Sequence, residues 1–66
     1  MKIVANSKEF EVKEGTNVAD FARSLNLRPE RCVVELNKKA LRFSQFKDII
    51  LKDGDMLEIM SVVAGG

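Results

Sequence analysis

The segment Met56-Leu57-Glu58-Ile59-Met60-Ser61-Val62-Val63-Ala64-Gly65-Gly66 decides the architecture of this 66-residue chain. Leu57 and Ile59 alternate with Met56, Glu58, Met60 and Val62, the two-residue period of a strand with one face on a core and the other turned outward. The strand expected over 56–63 has a counterpart of similar length at the start of the chain. There Ile3 and Ala5, then Phe10 and Val12, share one face and are separated by Asn6-Ser7, a dipeptide that tolerates a tight hairpin turn. Pairing the first and last strands in parallel at the sheet centre requires a crossover, and the residues between them are long enough to provide one through a helix.

That helix is expected directly after the turn-like Lys13-Glu14-Gly15. Thr16 is a suitable N-cap, Asp20 suits the positive end of the helix dipole, and Val18, Phe21, Ala22 and Leu25 recur at helical spacing. The helix should stop near Asn26-Leu27-Arg28, because the residue before Pro29 is pushed out of the α region. Beyond it Cys32, Val34 and Leu36 alternate with Val33, Glu35 and Asn37 as in a half-buried strand, and Asn37-Lys38 opens a turn towards Ala40-Leu41-Arg42. Residues 44–50 read as a turn or short helical piece covering one end of the core. Asp53-Gly54-Asp55 marks the last turn, with both aspartates as turn residues. The order strand, strand, helix, strand, strand, turn, strand predicts an α+β fold: a mixed twisted sheet of four to five strands with one helix packed across it. The ordered domain is expected over 1–63, with 64–66 as a flexible tail.

Length and composition confine the function. The chain has room for one small core, and its 45% hydrophobic and 32% charged residues are those of a globular domain. A net charge of +1 offers no electrostatic case for nucleic acid, although residues 22–42 hold six basic against two acidic side chains and leave −3 to the rest. A basic patch of Lys38, Lys39, Arg42 and Lys47 beside Phe43 or Phe46 would suit stacked bases; turn lysines and core phenylalanines account for the same residues without one. One cysteine cannot close an internal disulfide, which fits a reducing, cytoplasmic location. No segment has the apolar length of a signal peptide or a membrane span, so no membrane partner is expected.

The chain also lacks the means of an enzyme. It has no histidine, and its single cysteine, Cys32, falls on the inward register of a strand as a core residue, so nucleophilic catalysis has neither base nor activated thiol. One cysteine and scattered carboxylates make no metal site, and no glycine-rich phosphate cradle is present. No catalytic residue, metal or cofactor is therefore expected. Any ATP chemistry must belong to a partner.

The ending is the feature that packing does not explain. Chance would place two glycines at the end of about half a per cent of chains at an average glycine frequency. Glycine at 65 and 66 removes the Cβ atoms that would block a narrow channel and leaves the Gly66 carboxylate unhindered. Such a tail, with Ala64 and Gly65 threaded into another protein's active site, presents Gly66 for activation. The chain is then the substrate, not the catalyst. Met60, Val62 and Val63, next to the tail, are the candidate partner-binding residues, since apolar centres with methionine are favoured at such contacts.

These residues resemble the ubiquitin-like β-grasp proteins, and within them the ThiS sulfur carriers of thiamine thiazole biosynthesis. The resemblance covers the full length and is carried by the short first strand ending at Asn6, Glu14-Gly15-Thr16 before the helix, Glu35-Leu36-Asn37, Asp53-Gly54-Asp55 and the ending Val62-Val63-Ala64-Gly65-Gly66. ThiS-like chains often carry a Pro-Arg pair in place of Arg42-Phe43 and Asn-Gly or Asn-Asp in place of Asn6-Ser7. The resemblance implies a cycle in which a ThiF-type enzyme adenylates the Gly66 carboxylate and a sulfur-donor protein converts it to a thiocarboxylate. The thiazole synthase ThiG then receives the sulfur. Two related functions share the fold and the ending: the small subunit of molybdopterin synthase, whose members are longer, and a ubiquitin-like protein modifier joined to lysines through Gly66.

Overall fold

The computed structural model describes residues 1–62. Five strands, β1 (Lys2–Ala5), β2 (Lys8–Glu11), β3 (Cys32–Leu36), β4 (Lys39–Leu41) and β5 (Met56–Ser61), form one sheet in the order β2-β1-β5-β3-β4. The expected parallel pair lies at its centre, with Val4 opposite Met56 and Ala5 opposite Leu57. Antiparallel neighbours flank the pair on both sides. The helix, α1 (Val18–Ser24), supplies Val18, Ala19, Phe21 and Ala22 to the core beneath the sheet. They meet Ile3 and Ala5 of β1, Val34 of β3, and Leu57 and Ile59 of β5, all of them buried.

Both hairpins turn on two residues. Asn6-Ser7 and Asn37-Lys38 have positive φ at each position, 51° and 68° in the first and 51° and 72° in the second. Two successive left-handed residues twist a turn in the sense that adjoining strands require, and asparagine tolerates that region better than most residues. Each asparagine side chain then reaches β5, as described below.

The helix begins one residue later than expected. Asn17, not Thr16, is the N-cap: its Oδ1 accepts the Asp20 N–H at 2.7 Å. Thr16 instead donates its hydroxyl to the Lys13 carbonyl at 2.7 Å, and its own carbonyl accepts the Leu51 N–H at 2.8 Å. Asparagine is the stronger cap, and the free N–H groups of Val18 and Ala19 find the Ile49 and Phe46 carbonyls in the covering loop. The helix also stops short of the proline. Asn26 takes a left-handed φ of 63°, and the Leu27 and Asn26 N–H groups close back on the Ala22 and Arg23 carbonyls, a Schellman ending complete before Arg28. Arg28 is extended, as Pro29 demands, and Pro29–Arg31 form a 3₁₀ turn leading into β3.

A second 3₁₀ turn, Phe43–Gln45, starts the covering segment. Phe46 and Leu51 are buried, but Phe43 is 57% exposed and meets Phe46 edge to face at 5.6 Å, so the expectation of two core phenylalanines holds for one. Cys32 keeps the inward register yet is only half-buried, because it opens β3 opposite Ser61 at the end of the sheet. The aspartates of the 53–55 turn do more than turn the chain. Asp53 Oδ1 accepts the Lys2 N–H at 2.8 Å, and the buried Asp55 accepts the Lys52 N–H at 2.7 Å and the Asn37 Nδ2 at 3.1 Å. Gly54, with φ at 86°, completes the turn and donates to the Lys2 carbonyl.

Candidate partner-docking face

Among the described residues, no layer covers the side of the sheet away from α1. Along β5 it presents Met56, Glu58 and Met60, continued by Val62, while Leu57 and Ile59 face the core. Met60 is 67% exposed and Val62 53%. Two of the three residues expected to bind a partner, Met60 and Val62, therefore stand on the outward face, at the end of β5 nearest the tail. Val63, Ala64, Gly65 and Gly66, together with the boundary expected between 63 and 64, lie outside the described residues.

The register adds two residues that the sequence reading did not assign to this face's function. Val33 of β3 lies directly opposite Met60 and is 51% exposed, so Val33, Met60 and Val62 form one apolar patch across two strands. Its outward direction was legible from the alternation around Val34, but the pairing of β3 with β5 was not. Met56, 56% exposed, occupies the same face at the opposite end of the strand.

Between them Glu35 and Glu58 face each other across the strands. Like charges in that position oppose pairing by a few tenths of a kcal/mol. Neither carboxylate belongs to an ion pair among the described residues, where the two salt bridges are Met1 N-terminus to Glu11 and Arg23 to Asp20. A shallow depression of about 250 Å³ is lined by Val33, Glu35, Glu58 and Met60. The face thus offers apolar contact beside the tail and negative charge one rung further from it.

No described side chain is set up for covalent catalysis here. Burial, reinforced by the nearby Glu30 carboxylate, pushes the Cys32 thiol up from its ordinary value, and its Sγ donates to the Arg28 carbonyl at 3.2 Å. The thiol is thereby held in its less nucleophilic form. Among the described residues no group of three His, Cys, Asp or Glu side chains could hold a metal ion, and no helix is long and apolar enough to cross a membrane.

The backbone of β5 is held as firmly as its side chains are exposed. Towards β3, the Val62 N–H donates to the Arg31 carbonyl at 2.7 Å, carrying the ladder past the end of the strand. Towards β1, main-chain bonding ends where the Asn6 N–H donates to the Leu57 carbonyl at 3.0 Å. The Asn6 side chain then bonds Ile59 twice, accepting its N–H at 2.9 Å and donating Nδ2 to its carbonyl at 2.8 Å.

The ThiS family model matches residues 1–66. The chain belongs to the ThiS family. Among solved structures it is similar to the crystal structure of a thiamine biosynthesis protein, ThiS, from Geobacter metallireducens, at 32% identity and a TM-score of 0.82, with the whole of each chain covered. It is similar also to an NMR solution structure of a thiamine biosynthesis protein from the same organism, at 29% identity and a TM-score of 0.80, covering all of this chain and 88% of that one. The five-stranded mixed sheet with one helix is thus the ubiquitin-like β-grasp expected from the sequence.

Proposed function

We propose that this ThiS-family chain is the sulfur carrier for thiazole formation in thiamine biosynthesis, with the Gly66 carboxylate as its working group. The observation that carries the reading is the family match through residue 66, which includes the paired glycines. A free carboxylate is a poor acyl donor, so a ThiF-type enzyme first joins it to AMP from ATP, releasing pyrophosphate. The terminal sulfur of a donor protein's persulfide attacks the acyl carbon and AMP leaves. A thiol then cleaves the remaining sulfur–sulfur bond, leaving a thiocarboxylate on Gly66 and a disulfide. The thiocarboxylate sulfur adds to a carbonyl carbon held by the thiazole synthase ThiG, the acyl group passes from sulfur to the former carbonyl oxygen, and cleavage of that C–O bond leaves the sulfur on the intermediate and returns the carrier as its carboxylate.

In this reading the chain supplies two things and no catalytic group. Residues 64–66 are the tail, slender enough to enter an active site where the partner stabilises the developing charge with its own fixed dipoles. Val33, Met60 and Val62, with Val63 beyond them, are the contact by which the adenylating enzyme grips the domain. Exposed apolar patches of this kind gain meaning from their position beside the group to be delivered. The carrier works in the cytoplasm with its partners.

The intact mass of the chain recovered from its native host, with fragment ions locating any change, tests the reading. Sulfur in place of one oxygen at Gly66 is the expected result. Unmodified chain accompanied by isopeptide-linked conjugates through Gly66 would replace the carrier with a protein modifier.

A further inference from the structure

We infer that Asn6 is a positioning residue for the tail: its carboxamide stands in for the missing continuation of β1 and fixes the direction in which β5 leaves the sheet. The inference rests on the reading of residues 64–66 as the delivered group. In a parallel pair, one residue donates its N–H to the neighbouring strand and accepts an N–H two residues further along it. Asn6 does the first with its backbone, donating to the Leu57 carbonyl. Its chain then turns away into Ser7 and β2, so its backbone does not make the second bond. The side chain makes it instead, Oδ1 accepting the Ile59 N–H at 2.9 Å, while Nδ2 supplies the donor to the Ile59 carbonyl that the residue two places further along a longer β1 would have supplied.

The consequence is local to the working end. Ile59 is the last residue of β5 bonded on the β1 side among the described residues and sits opposite Val34 on the β3 side; Met60 pairs with Val33 alone, and Val62 with the Arg31 carbonyl alone. The turn that permits this arrangement is built for it, since the left-handed φ of 51° at Asn6 is what lets backbone and side chain of one residue address the same neighbouring strand. Asn37 is the natural control. It has the same φ and also bonds β5 with its side chain, but at Met56, the end of the strand away from the tail, and at Asp55 just before it.

The test compares Asn6→Gly with Asn37→Gly, substitutions that keep a left-handed turn and remove only the carboxamide. Two readouts are taken at a temperature where both variants remain folded. The first is amide hydrogen exchange at Met60 and Val62, which faces β3 and touches neither asparagine directly. Asn6→Gly is expected to speed it about tenfold relative to Asn37→Gly; equal rates in the two variants overturn the inference. The second is ATP-dependent activation by the ThiF-type enzyme, read as pyrophosphate release. Asn6→Gly is expected to lower kcat/KM by about tenfold, within the range that small misplacements of a reacting group produce, with Asn37→Gly near wild type. Equal losses in the two variants mean a general stability effect and again overturn it. Absence of activation in the unaltered chain removes the carrier reading itself, and the exchange rates then decide alone whether Asn6 orders the strand end.

Discussion

The two hairpins of this protein are made from the same turn and do different work. Asn6-Ser7 and Asn37-Lys38 each place two residues at positive φ, each begins with asparagine, and each sends that asparagine's carboxamide to β5. The β3–β4 hairpin takes hold where β5 starts: Asn37 donates its N–H to the Met56 carbonyl at 2.7 Å, accepts the Met56 N–H at 3.0 Å, and satisfies the buried Asp55. The β1–β2 hairpin takes hold three residues later, at Ile59. Turn chemistry alone therefore does not assign a role. What differs is the place on the partner strand that each side chain reaches, and that follows from one neighbour being parallel to β5 and the other antiparallel.

The strongest way to break this comparison is to remove what the hairpins share. Leu57 is buried opposite Ala5 on one side and Leu36 on the other. Leu57→Ala should cost about 3 kcal/mol from lost burial and a residual cavity. Both hairpins should lose their protection together in a single urea transition; survival of one would show that β5 does not couple them.

Charge separates the two asparagines next. Asn37→Asp puts a second carboxylate where Nδ2 now lies 3.1 Å from Asp55 Oδ1. Two carboxylates at that distance cannot both ionise, so the folded variant holds a proton above the usual carboxylate range. Because the folded state then binds the proton more tightly than the unfolded state, stability should rise as pH falls through that raised value. At neutral pH the loss should reach about 3 kcal/mol, the scale of a carboxylate denied its partner. Asn6→Asp, which meets only the Ile59 carbonyl with its new oxygen, should show a weaker dependence in melts from pH 4 to 8.

The glycine variants give a finer contrast. Asn37→Gly should cost about 2 kcal/mol, since it strips a buried carboxylate of a donor, and Asn6→Gly about 1 kcal/mol. For a domain of this size each kcal/mol lowers the calorimetric midpoint by about 4–8 °C. Conversely, Ser7→Gly and Lys38→Gly relieve a side chain from the left-handed region and should each stabilise by up to about 1 kcal/mol. Equal gains would confirm that the two turns are equivalent in themselves. The smallest expected change in stability belongs to the outward face. Met60→Glu should change stability by no more than about 0.5 kcal/mol, the usual range for an exposed position. Adenylation should nevertheless weaken, and an unchanged adenylation rate would remove Met60 from the docking patch.

Elements whose patterns are local and repetitive could be read directly from the residues. The alternation Leu57, Ile59 against Met56, Met60 predicted which side of β5 faces the core, and Asn6-Ser7 predicted the hairpin. The central parallel pair followed from the lengths of the first and last strands and the helix between them. What escaped were choices between neighbouring residues of similar chemistry. Thr16 and Asn17 are both good caps, and the decision lay with the Leu51 N–H, thirty-five residues away from the Thr16 carbonyl that accepts it. Phe43 and Phe46 carry identical side chains, and only the 3₁₀ turn separates the exposed one from the buried one. The outward faces of Met60 and Val62 could be read from alternation, whereas Val33 joins them only through register, which no single strand contains. The second duty of Asn6 was hidden for the same reason: its partner is Ile59, fifty-three positions along the chain.

That separation has a consequence for how the molecule comes into being. Because β5 lies between β1 and β3, it is the keystone strand and also the last strand of the described fold to be synthesised. A nascent chain that has emerged only through Asp55 has its two hairpin segments and its helix but no centre for them to join. Closure over so long a stretch is entropically costly and must wait for the final strand, which favours folding as one late event over a residue-by-residue build-up on the ribosome. A carrier interrupted before β5 would expose both inner sheet edges at once, the state most open to unwanted strand pairing and to proteolysis. Completion of the strand that leads to the tail and completion of the fold are thus the same step.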